Sequence, residues 1–128
     1  MQTAVIRSGI ADFIRQRLGT QQTPVPVCPD YLPEGEKTGG IVYQIQGADF
    51  QYGIEGLPRL TRVTFLVTVG KLTRAETDVL VEQLTDIQFR ESTALFQYIQ
   101  LQEVRDVPYD PNTDKYVCTN LTFMGHLR

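Results

Sequence analysis

The sequence is poor in the residues that carry chemistry. Its 128 residues include one histidine, His126, and two cysteines, Cys28 and Cys118. His126 has no serine or cysteine at a recognisable spacing and no second imidazole with which to share a metal ion. A general base needs a partner within reach, so this residue reads as a solvent-facing or terminal histidine. The cysteines lie far apart and neither belongs to a CxxC pair. They read as buried or half-buried free thiols, in preference to a disulfide or a catalytic thiol. Long apolar runs are missing too. None approaches the roughly 18 residues that a membrane span needs, and Met1 to Arg7 lacks the apolar stretch of a signal peptide. The expectation is a soluble protein of a reducing cytoplasm with no membrane contact. An excess of positive charge is also absent: 12 basic residues face 15 acidic ones, for a net charge of -3. That balance argues against a dedicated nucleic-acid binder, which usually presents a basic face, and leaves only a local basic patch open.

What is present suffices for one domain over residues 1–128, since 41% of the chain is hydrophobic. Ile6, Ile10, Phe13 and Ile14 recur at three- and four-residue steps, which predicts a helix over about residues 3 to 18. Gly19 stands where a left-handed residue usually ends a helix. Residues 20 to 39 hold Pro24, Pro26, Pro29 and Pro33 and read as an extended connection, long enough to suggest a functional role or ordering by a partner. Ile41 to Gln46 reads as a first strand, and Arg62 to Val69 as the clearest strand of the chain. Thr73 and Glu76 fit a capping box that opens a second helix, whose expected inward stripe is Ala75, Val79, Leu80, Gln83, Leu84 and Ile87. Gln97 to Val104 makes a third strand. The turn formers Asp110, Pro111, Asn112 and Thr113 then drop into a closing strand in which Val117, Thr119, Leu121 and Phe123 share a face. The expected fold is α+β, a four-stranded antiparallel sheet with two helices on one face, in the order α-β-β-α-β-β. Phe13, Ile14, Val63, Phe65, Val67, Leu80, Leu84, Leu121 and Phe123 are the expected core.

Motifs that would carry chemistry fail on particular positions. Asp110-x-Asn112-x-Asp114 copies the start of a calcium loop, but Lys115 replaces the glycine of the sixth position and Leu121 the glutamate of the twelfth. Gly35-Glu36-Lys37-Thr38 lacks the glycine directly before the lysine that a phosphate loop requires. Asn120-Leu121-Thr122 is a glycosylation sequon inside an expected strand. Asp49 and Glu55 form a possible carboxylate pair with nothing beside them to raise a pKa. The residues predict no enzyme activity, no cofactor and no metal.

The positive signal is the turn-rich stretch from Gly47 to Leu60. Phe50, Tyr52, Ile54 and Leu57 are too apolar for a plain solvent loop. Either they fold back onto the domain's own core, or they meet another subunit, where aromatic anchors are enriched.

Several motifs in order resemble the tail terminator, or tail-completion, family of minor tail proteins of long-tailed bacteriophages. They are the N-terminal amphipathic helix, the segment Tyr31-Leu32-Pro33-Glu34-Gly35, the strand Ile41-Val42-Tyr43-Gln44, and a loop reaching Gly56. The Arg-led strand Arg62-Val63-Thr64-Phe65-Leu66-Val67-Thr68-Val69 and an Ala/Glu/Leu helix follow. Tyr109-Asp110, and Tyr116 opening a last strand that contains Phe123, complete the set. The resemblance spans nearly the whole chain. It implies a homo-hexameric ring at the head-proximal end of the tail, a virion component assembled in the host cytoplasm. Such a ring ends tail-tube growth, meeting the tail-tube protein on one face and the head connector on the other. DNA passes through its lumen without specific binding, which a mildly acidic protein suits. Phe50, Tyr52, Ile54, Leu57, Tyr31 and Leu32 are then the candidate contacts between subunits or with the tube. A head-closure or connector protein of the same neck is the nearest alternative. A small α+β ligand-binding domain or enzyme stands behind it.

Overall fold

The apolar spacing of the first segment produces α1 (Thr3–Leu18), with Ile6, Ile10, Phe13, Ile14 and Leu18 buried. The helix stops at Gly19, whose φ of 63° is left-handed and whose N–H donates to the Arg15 carbonyl at 3.1 Å. The computed structural model describes residues 3–19, 25–56, 58–86 and 93–128. Pro24 and Ile87, named above, lie outside them.

Five strands follow: β1 (Val27–Pro29), β2 (Gly39–Tyr52), β3 (Pro58–Lys71), β4 (Phe96–Asp106) and β5 (Val117–Leu127), with α2 (Arg74–Thr85) between β3 and β4. The α+β class is as expected, but the sheet is five-stranded and mixed, not four-stranded and antiparallel. Its order is β1-β2-β3-β5-β4, and the chain order is α-β-β-β-α-β-β. The added strand, β1, runs parallel to β2 with Val27 beside Ile41 and Pro29 beside Tyr43. The Ile41 N–H donates to the Pro26 carbonyl at 2.8 Å, and the Asp30 N–H to the Tyr43 carbonyl at 3.0 Å. Pro26 and Pro29 concealed this strand, because proline removes a ladder donor and is tolerated only at an edge.

In the centre of the sheet, period-two alternation puts Val63, Phe65, Val67 and Val69 on one face of β3 and Thr119, Leu121 and Phe123 on the same face of β5. All nine expected core residues are buried. Phe13 of α1 meets Phe123 edge-on at 5.4 Å and Phe65 at 6.2 Å, while Phe65 and Phe123 stack at 5.4 Å. Both helices pack over this face and touch each other.

α2 begins at the expected place with one half of the capping box, the Thr73 hydroxyl accepting the Glu76 N–H at 3.2 Å. Its inward stripe differs: Thr77, Leu80 and Leu84 are buried, whereas Ala75 and Val79 face outward. Thr77 takes an inward place because its hydroxyl is fully satisfied there. It donates to the Val117 carbonyl at 2.7 Å and accepts the Lys71 N–H at 3.2 Å. No helix among the described residues is long and apolar enough to cross a membrane.

Candidate interaction surface

The stretch expected to be a loop between residues 47 and 60 is a β-ribbon. β2 does not end at Gln46 but runs to Tyr52, and its ladder with β3 continues to the pair Tyr52–Pro58. The period-two spacing of Phe50 and Tyr52, which looked too apolar for a loop, is strand patterning. Glycines obscured it: Gly47 follows a register shift at Gln46, and Gly53 and Gly56 form the tip. There the Gly56 N–H donates to the Gly53 carbonyl at 2.9 Å, with Gly56 at φ 75°.

This ribbon leaves the body of the sheet. β5 stops pairing with β3 at Arg62–His126, and β1 stops pairing with β2 at Pro29–Tyr43. Residues 50–52 and 58–60 therefore form two strands with no third beside them among the described residues, an arrangement that is marginal alone in water. A second register shift, between Asp49 and Phe50, leaves Thr61 extra, and its hydroxyl donates to the Asp49 carbonyl at 3.2 Å. Bulges bend and twist a ribbon, so these two aim the arm. Arg62 pairs with the Asp49 carboxylate at 2.5 Å across its base.

Phe50 and Tyr52 lie two residues apart and so share one face, opposite Leu60 and Pro58. Leu60 packs against the edge of the core. Phe50 stays 41% exposed, Tyr52 70%, and Ile54 is fully exposed at the tip. None of the three folds back onto the core. Leu57 lies outside the described residues. Tyr31 and Leu32 do not join this patch. Tyr31 is 76% exposed beyond the end of β1. Leu32 is half-buried over Gly40, where an added Cβ would come within 3.0 Å of its Cδ2. Gly40 and Phe50 are separated by ten residues of one strand, roughly 30 Å at the usual rise. The candidate contacts thus form two patches.

Among the described residues the sheet's other face carries no helix. Cross-strand rows place Arg62 beside His126 and His126 beside Tyr98, then Thr64 beside Met124, Leu66 beside Thr122 and Thr68 beside Asn120. His126, expected as a solvent-facing or terminal histidine, lies near the end of the closing strand on this face, partly exposed, and stacks on the Tyr98 ring at 4.1 Å. Desolvation, and then the neighbouring Arg62 charge, hold its pKa below the ordinary histidine value.

The rejected motifs are occupied by ordinary turn chemistry. Asp110 accepts the Asn112 N–H through its carboxylate at 2.9 Å, and Asp114 accepts the Asp110 N–H at 2.9 Å. Glu36 accepts both the Thr38 N–H, at 3.1 Å, and its hydroxyl, at 2.9 Å. These two bonds lower the Glu36 pKa. Asn120 accepts the Thr68 hydroxyl at 2.7 Å within the sheet. Cys28 and Cys118 are half-buried free thiols. Burial, and then Asp114, push the Cys118 thiol up. A shallow pocket of about 300 Å³ beside Cys118 is lined by Val107, Pro108, Thr113, Asp114, Lys115 and Tyr116. Among the described residues no three His, Cys, Asp or Glu side chains group as a metal site. The chain matches no protein-family model and no curated protein sequence.

Proposed function

We propose that this chain is a structural subunit of a bacteriophage tail, six copies of which form the terminator ring at its head-proximal end. The ring ends tail-tube polymerisation and joins the head connector, and the chain performs no catalysis. The observation that carries this reading is the arm. A ribbon, residues 50–52 paired with 58–60, projects past the last paired strand with Phe50, Tyr52 and Ile54 exposed. A monomer gains nothing by holding large apolar side chains in water, whereas a partner surface buries them. Closed symmetry repeats one such contact around the ring, so modest contacts sum to a stable assembly. The ordered motifs that resemble the tail terminator family supply the kind of assembly. The net charge of -3 fits a lumen that lets DNA pass without gripping phosphates.

The test is a double substitution, Phe50→Ser with Tyr52→Ser. The expected product is a folded monomer that fails to form rings under the electron microscope and does not cap purified tail tubes. In infected cells it yields tubes of abnormal length, or tails that fail to join heads. A double variant that caps tails as the parent does removes the reading's main support.

A further inference from the structure

Among the described residues both outer edges of the sheet are open, at opposite ends of the strand order. On one side β1 covers β2 only at Ile41 to Tyr43, so β2 from residue 44 to 52 has no outer partner among the described residues. On the other side β4, eleven residues long, is the last strand of the sheet. Alternate N–H and C=O groups of an edge strand point outward and template another strand. Natural edges are normally guarded by lysine, proline or charge. Charge and proline are absent from residues 44–48 (Gln-Ile-Gln-Gly-Ala) and 96–102 (Phe-Gln-Tyr-Ile-Gln-Leu-Gln), where register shifts at Gln46, Gln97 and Gln102 interrupt the ladders.

The strand directions make the two edges complementary. β2 is antiparallel to β3, β3 to β5, and β5 to β4, so β4 runs opposite to β2. Two copies set side by side in the same orientation bring β4 of one against β2 of the next as an antiparallel pair, the more stable kind of ladder. A contact between two different edges is heterologous, so it propagates from copy to copy and closes when the rotation per copy permits. The shared orientation also carries the arm of each copy to the Phe96 end of its neighbour's β4, since Tyr98, His126, Arg62 and Asp49 form one cross-strand row at the arm's base.

We propose that neighbouring copies of this chain associate by pairing the free edge of β2, residues 44–52, with the edge of β4 in the next copy. This rests on the ring reading above and names the surfaces that would build it. The occupant of each edge is a second copy, because the same chain supplies both halves of an antiparallel match that carries no charge over residues 44–48 and 96–102.

Disulfide trapping tests it, in a background with Cys28→Ser and Cys118→Ser. Antiparallel pairing predicts that Gln44→Cys protein links to Gln102→Cys protein, or Gln51→Cys to Gln97→Cys, when the two variants are mixed and oxidised. Gln44→Cys with Gln97→Cys should remain unlinked, and so should each variant alone. A protein carrying Gln97→Lys and Gln102→Lys should keep the parent's circular dichroism and melting curve. Light scattering should find it at the monomer mass of 14.5 kDa where the parent forms a larger species. A Gln102→Cys protein that links to itself identifies two-fold pairing of β4 with β4 and overturns the proposal. A parent that forms rings while no mixed pair links also overturns it, and leaves the ring reading standing. A parent that stays monomeric at every soluble concentration and on tail tubes overturns both.

Discussion

Phe65 is the side chain through which most of the core is coupled. It is fully buried, stacks on Phe123 at 5.4 Å and on Phe96 at 6.1 Å, and receives the edge of Phe13. Truncation to alanine removes the ring from all three neighbours, and the surrounding sheet cannot close the gap. Phe65→Ala should therefore cost about 3–5 kcal/mol in chemical denaturation. A loss below about 1 kcal/mol would mean that the site collapses freely. Gly125 makes the opposite case. It lies on the core face of β5 beneath Phe96, and a Cβ there would meet the ring at 2.6 Å. Gly125→Ala should destabilise by about 1–3 kcal/mol, because the ring is held by Phe65 and cannot swing clear. His126 sets a pH dependence. Its pKa is lowered by desolvation and Arg62 from a reference value of 6.5. The unfolded chain then takes up the proton more readily than the folded one. The associated stability is present above the unfolded pKa and is lost as pH falls through 6.5 towards the folded value. Denaturation midpoints at neutral and mildly acid pH should differ in the parent and converge in His126→Gln, and an NMR titration should place His126 below 6.5.

At the scale of elements, α2 depends on its ends. Thr73 caps it at 3.2 Å, and Arg74 in its first turn reaches the Thr119 hydroxyl at 2.7 Å and the Asp106 carboxylate at 3.3 Å. This ties the helix start to β5 and to the end of β4. Thr73→Ala should cost about 1 kcal/mol, measured as a lowered denaturation midpoint with unchanged slope. The other tie closes the far end of the sheet. The Glu36 carbonyl accepts the Tyr116 hydroxyl at 2.6 Å and the Lys115 ammonium at 2.5 Å, which holds the turn after β1 against the start of β5. By contrast the arm has, among the described residues, no third strand beside it and the Arg62–Asp49 ion pair at its base.

For the molecule as a whole, that contrast predicts two rates of amide exchange. β3 and β5, paired on both sides over residues 63–69 and 119–123, should exchange only on global unfolding. Residues 50–60 should exchange quickly in a monomer, through local opening of a two-stranded ribbon. Assembly should then protect residues 50–60 while leaving β3 unchanged, as read by exchange with mass spectrometry on monomer and oligomer fractions. Arm amides that are equally slow in both fractions would show that the ribbon is stable without a partner.

Much of this architecture is legible in the residues because it obeys local rules. The spacing of Ile6, Ile10, Phe13 and Ile14 marks α1, Gly19 marks its end, Thr73 marks the start of α2, and the alternation through Val63 to Val69 and Val117 to Phe123 assigns each side chain to a face. Periodicity and capping act over a few residues, so a short window contains them. What only the tertiary structure decided depends on partners distant in sequence. β1 exists because Ile41 to Tyr43 offers it an edge, although its prolines speak against a strand. Val79 faces outward because Thr77 finds the Val117 carbonyl forty residues away. The five described candidate contacts fall into two patches because β2 runs on past Gln46 and carries Phe50 away from Tyr31 and Leu32. How far a strand extends is set by the strand beside it, and a sequence window does not contain that neighbour.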